Sequence, residues 1–187
     1  IEGTAANKAL EFYNNSGTTI DLAGYTLERY DNRAGTASET VDLATASGAP
    51  TLAAGETVVL YRSGSDASLV AAAGNAAVSA AHSIINHTGN DAYALKRNGA
   101  IIDLFGAIGE NPGAAWTGST NTTVDVTLQR AAAATQIKGN PDGFTTANIP
   151  ALDNEWTAFA VDFTDGLGAE GVYVDTTNPQ VAALGLT

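Results

Sequence analysis

The chain's 187 residues are 44% hydrophobic, enough to bury the core of one domain with or without a terminal extension, and this excludes a disordered chain. Twenty acidic residues against eight basic ones give a formal charge of −12, and the basic residues are dispersed from Lys8 to Lys138, which argues against a nucleic-acid-binding surface. Without cysteine there is neither a disulfide framework nor a zinc-thiolate site, and no apolar run has the length of a membrane span.

From the first residues onward, alternation of period two dominates. Leu10 and Phe12 stand against Glu11 and Tyr13, then Tyr25 and Leu27 against Thr26 and Glu28, then Val58 and Leu60 against Val59 and Tyr61. Turn residues separate these predicted strands: Asn14 to Gly17, Ala23-Gly24, Asp31 to Gly35, Ser47 to Pro50 and Ala54-Gly55. A single short helix is predicted in a connection, with Asp66 as its N-cap, Ser68 to Ala73 as its body and Gly74 as its stop. Two apolar runs then meet at Asn98-Gly99, a pair suited to the positive φ angles of a type I′ turn, which predicts a β-hairpin. Val124 to Leu128 reads as a further strand, and the alanines 131 to 134 as either a second short helix or loop. After Gly168 the character changes: Gly171 to Asp175 reads as a strand, followed by a connector ending at Pro179. Short strands punctuated by turns predict an all-β sandwich with one short helix rather than an α/β plan.

Four segments in order carry a resemblance. KALEFYNNSGTTIDLAGYTLERY (residues 8–30), TLAAGETVVLYRS (51–63), the hairpin of residues 89–109 with Asn90 before Asp91, and NEWTAFAVDFTDGLG (154–168) together resemble the bacterial lamin-tail domain. That resemblance implies an immunoglobulin-like β-sandwich over residues 1–168, leaving 169–187 as a C-terminal extension, linker or donated strand. It also implies the company of secreted nucleases and surface proteins, and hence an extracellular location. Relatives usually carry an apolar strand just before the segment corresponding to Ile1-Glu2-Gly3. Either such residues precede Ile1, or something else supplies an edge strand.

Chemistry-bearing motifs are sparse. His82 and His87 are the only histidines and form no H-E-x-x-H pattern. Ser63 lies in no G-x-S-x-G elbow, and no glycine run has the spacing of a phosphate cradle. No catalytic residue and no organic cofactor is predicted. Loop carboxylates offer oxygen ligands for a structural Ca²⁺, with Asp162, Asp165, Glu170 and Asp175 the better group and Asn140, Asp142 and Asp153 a second; solvation of acidic side chains is the alternative for both. Trp116, at the end of the Gly-Pro-rich loop around Asn111-Pro112-Gly113, is expected to be exposed, whereas Trp156, Phe159 and Phe163 are expected to pack.

Three functions remain open at this point. The preferred one is a structural or adhesive module of an exported bacterial protein, acting through protein contacts. A self-assembling subunit would use the tail, with Val172, Tyr173, Val174, Val181 and Leu184 as contact residues in β-augmentation of a neighbouring copy. An accessory domain of a secreted nuclease or phosphoesterase would leave the chemistry to a neighbouring domain. Sugar binding at Trp116 is a fourth and weaker reading.

Overall fold

The computed structural model describes residues 1–130 and 139–169. In chain order the elements are β1 (Ala9–Tyr13), β2 (Ile20–Asp21), β3 (Tyr25–Tyr30), β4 (Glu39–Asp42), α1 (Leu43–Ser47), β5 (Thr51–Leu52), β6 (Thr57–Tyr61), α2 (Ala67–Ala73), β7 (Val78–Ala81), β8 (Ala92–Arg97), β9 (Ala100–Phe105), β10 (Thr127–Arg130), α3 (Pro150–Glu155) and β11 (Trp156–Phe159). Two sheets form the sandwich: an antiparallel four-stranded sheet ordered β4-β3-β8-β9 and a three-stranded sheet ordered β1-β6-β7. The pairs β2-β5 and β10-β11 are separate two-stranded ribbons.

Alternation along the strands builds the core between the sheets. Leu27 pairs with Leu95, and Arg29 with Tyr93, so these side chains share the inner face of the four-stranded sheet. Val58 and Leu60 face them from β6 and are fully buried, while Leu22, Leu52, Ile84 and Ile85 close the ends of the same cluster. On the opposite face of β6, Val59 packs under α2 against Leu69 and Ala73. A third cluster, built on Trp116, Phe144 and Leu152, fills the space beneath α3.

The Asn98-Gly99 hairpin is present as expected, with both residues at positive φ (50° and 83°) between β8 and β9. Gly24 also has positive φ (78°), and a Cβ there would collide with the Asn98 side chain, so the β2–β3 corner and the hairpin tip require each other.

Helix α2 begins and ends where expected, but Asp66 makes no side-chain capping bond. Its carboxylate instead accepts from Asn7 Nδ2 at 2.9 Å, and Asn7 Oδ1 accepts from the Asp66 backbone N–H at 2.7 Å. As the crossover between β6 and β7, α2 makes that pair parallel, a pairing that a hairpin connection cannot produce.

The expectation of one helix is corrected by two more. In α1, Asp42 caps the Thr45 N–H at 2.9 Å, and Gly48 at φ 74° returns its N–H to Ala44 and Thr45. In α3, Pro150 stands in the first turn. The alanines 131–134 lie outside the described residues.

Candidate functional site

Strand β1 divides its backbone between two directions. Arg62 N–H donates to Lys8 O (2.9 Å) and Asn14 N–H to Glu56 O (3.0 Å), so even-numbered residues serve β6 and odd-numbered ones face the other way. At Ala9 that outer edge is occupied: Ile1 donates to Ala9 O at 2.8 Å and Ala9 N–H to Ile1 O at 3.2 Å. Glu2 then exchanges two bonds with Val126, just ahead of β10, at 3.0 and 2.9 Å. Ile1-Glu2 thus bridges β1 and the start of β10, and residues of both strands line one cleft. Among the described residues nothing pairs with the outward backbone groups of Glu11 and Tyr13.

Between these edges lies a cleft of about 540 Å³ whose floor is largely apolar, with Leu10, Phe12, Ile102, Phe105 and Leu128 among its lining residues. Its polar rim is tied up internally. Arg130 pairs with Asp103 at 2.9 Å and lies 4.6 Å from the centre of the Trp156 ring. Glu11 has its carboxyl pushed up to about 7 by burial, although the Gly168 N–H donates to it at 2.9 Å. The buried His87 ring lies edge-on to Tyr93 at 5.5 Å, with Nε2 2.7 Å from Ile1 O and Nδ1 3.2 Å from the Tyr93 hydroxyl. Burial, foremost, lowers its pKa to about 3, so His87 is neutral at physiological pH and serves the framework.

The residues singled out in the sequence fall into three sets. Trp116 is corrected outright: it is fully buried, 5.6 Å edge-to-face from Phe144, because residues 144–152 fold back over its loop. It therefore presents no ring to a sugar. Asp162 faces the N-terminal loop, accepting from Thr4 N–H (3.0 Å), Thr4 Oγ1 (2.6 Å) and Asn7 Nδ2 (3.1 Å). Asp165 contributes its backbone carbonyl to Gln129 Nε2 at 2.8 Å. Glu170, Val172, Tyr173, Val174, Asp175, Val181 and Leu184 lie outside the described residues.

In the second carboxylate group, Asp153 collects the N–H groups of Ser119, Thr120 and Asn121, and these bonds, that of Ser119 foremost, hold its carboxyl down to about 2. Among the described residues no three His, Asp or Glu side chains gather as metal ligands. Trp156 packs against Phe105 at 5.2 Å, and Phe159 stacks on Phe163 at 4.5 Å, as expected for the closing segment.

Composition gave no hint of two residues that hold the site in place. Buried Asn14 donates from Nδ2 to Thr18, Leu52 and Ala53 carbonyls at 2.8 to 2.9 Å, which fixes the end of β1 against β5. Asp91 accepts from Asn32 N–H and Thr88 N–H, each at 2.7 Å, and so anchors the start of β8.

The family model of the Lamin Tail Domain matches residues 1–109. The chain belongs to the lamin tail domain family. The matched part runs from Ile1 through β9, so the lamin-tail sandwich contains both sheets and the β1 edge, while β10, α3 and β11 follow it. No curated protein and no solved structure matches the chain. Lamin tail domains are structural, immunoglobulin-like domains.

Proposed function

We propose that this lamin-tail chain is a non-catalytic structural module of an exported bacterial protein, found outside the cell and acting through protein–protein contacts. What carries this reading is the employment of its ionisable groups. Asp91, Asp153 and Asp162 are consumed by backbone or loop hydrogen bonds, Asp103 by Arg130, and His87 is buried and neutral. The cleft between β1 and β10 is largely apolar and lies beside a strand edge that pairs with nothing among the described residues, a surface suited to another polypeptide segment rather than to a reaction. The surplus of negative charge keeps such a module apart from nucleic acid.

Incubating the purified chain with DNA and with p-nitrophenyl phosphate mono- and diesters, in Mg²⁺ and in Ca²⁺, tests the non-catalytic part. Turnover at the level of buffer alone is expected. Turnover that follows the protein through purification and vanishes in D103N or D153N would overturn it.

A further inference from the structure

We propose that the outer edge of β7 is a self-association surface, on which two copies of this chain join by antiparallel pairing about a twofold axis at Ala80. Both edges of the four-stranded sheet are guarded. At β9, Asn140 O takes the Leu104 N–H at 2.8 Å and Gly106 O takes the Phe144 N–H at 3.2 Å, so the returning chain covers that strand where it ends. Strand β4 carries Glu39 and Asp42 among its four residues. In the other sheet β1 borders the cleft, whereas β7 has neither cover nor charge. The His82 N–H donates to Tyr61 O at 2.9 Å, which fixes the phase of the parallel ladder: even-numbered residues serve β6, and the backbone groups of Ser79 and Ala81 point away from it. Among the described residues nothing bonds to those outward groups. Val78 and Ala80 pack against the core between the sheets, while Ser79 and Ala81 are exposed and too small to screen the edge.

Charge and register identify the occupant as a second copy. A molecule of formal charge −12 repels its own copies over most of its surface, so they meet most readily where carboxylates are absent. From Ala67 to Asn90 the chain has no Asp, Glu, Lys or Arg, and this stretch contains the whole of α2 and β7. Glu39, which accepts from Ser83 Oγ at 2.7 Å just beyond the strand, is itself balanced by Arg29 at 3.6 Å. A basic partner would be drawn to the carboxylates elsewhere and finds no counter-charge on β7. With the axis at Ala80, Ser79 of each copy lies opposite Ala81 of the other, and each such pair exchanges two backbone bonds, so every outward group of both residues is satisfied at once. The joined sheet runs β1-β6-β7-β7-β6-β1. The axis stands perpendicular to that sheet and sets both α2 helices on one face, each with Val70 37% exposed. An interface of this size belongs to the transient class, with a Kd on the order of 0.1 mM. The inference goes beyond the proposed function: a monomeric result would remove this partner and leave the non-catalytic reading to its own hydrolysis assay.

Sedimentation equilibrium on the full 187-residue chain tests it, beside a double variant carrying Ser79→Lys and Ala81→Lys. The parent's average mass should climb toward twice the monomer's with concentration, and added salt should tighten the dimer, because screening removes repulsion between the copies. The variant sets lysines opposite one another across the axis and should weaken association by roughly tenfold or more. It does so while the two added lysines lower the net charge from −12 to −10, which by itself would favour association. Amide hydrogen exchange in the parent gives a reading that needs no variant: Ser79 and Ala81 should gain protection as the dimer forms, while Ala80, bonded to β6, is protected throughout. A parent that stays monomeric at concentrations on the order of 1 mM overturns the proposal. A dimer that survives unchanged in the variant, or that salt dissociates, places the interface elsewhere and overturns it too. Protection of Ser79 and Ala81 already present in the monomer assigns the edge to another segment of the same chain, which also overturns it.

Discussion

Replacing Trp116 by alanine separates a framework residue from a ligand-binding one. The indole is fully buried, packed edge-to-face on Phe144 and clustered with Leu152 and Ala107. Truncating a buried tryptophan costs about 3–5 kcal/mol, through lost transfer energy and the cavity left behind. Against a typical domain stability of roughly 5–15 kcal/mol, that is about a fifth of the total at the least. At about 2–4 °C per kcal/mol for a domain of this size, Trp116→Ala should lower Tm by roughly 6–20 °C. Trp116→Phe, which keeps the aromatic contact, should lose less than half as much. Differential scanning calorimetry on the three proteins measures it, with urea midpoints as a check on two-state behaviour. If Trp116→Ala left Tm unchanged while abolishing binding to a glycan, the ring would be a surface contact and the packing argument would be wrong.

Asn14→Ala should cost about 2–4 kcal/mol, because three carbonyls lose their donor at once, and urea denaturation should show it as a lowered midpoint with unchanged slope. Gly24→Ala should cost about 2 kcal/mol through its positive φ and its collision with Asn98, and Gly24→Ala combined with Asn98→Gly should recover part of that loss. Glu11 provides a pH signature: its folded pKa, about 7, lies above its ordinary 4.5, so its contribution is full below pH 4.5 and is lost as pH rises through 7. Glu11→Gln should flatten that part of the stability–pH curve in urea titrations at pH 5 and pH 8. Asp162 already spends both oxygens on Thr4 and Asn7, so Tm should be the same in EDTA and in millimolar Ca²⁺; a large rise with Ca²⁺ would restore the loop carboxylates as ligands.

Local chemistry made the hairpin and α2 legible. Asn98-Gly99 needs only its own φ angles, and Asp66 and Gly74 mark their helix from within a few residues. Helix α1 carries the same kind of signal in Asp42 and Gly48, but its five residues are too few for a periodicity to emerge. What escaped the sequence is what distant segments decide. Trp116 sits in a glycine-rich loop that reads as exposed, until Phe144 and Leu152 cover it. Asp162 reads as a free loop carboxylate, until Thr4, 158 positions away, claims it. The cleft itself belongs to no single segment, since its walls come from β1 and β10, which are more than a hundred positions apart.

The central claim is that the ionisable residues of this lamin-tail module hold its structure and perform no reaction. A parallel scan of D91N, D103N, D153N, D162N, E11Q and H87Q, reading Tm and phosphoester hydrolysis on the same samples, tests it most directly. Every substitution except E11Q at acid pH should shift Tm, and none should alter a hydrolysis rate indistinguishable from buffer. A substitution that leaves Tm in place and removes a measurable turnover would contradict the claim and locate a catalytic residue.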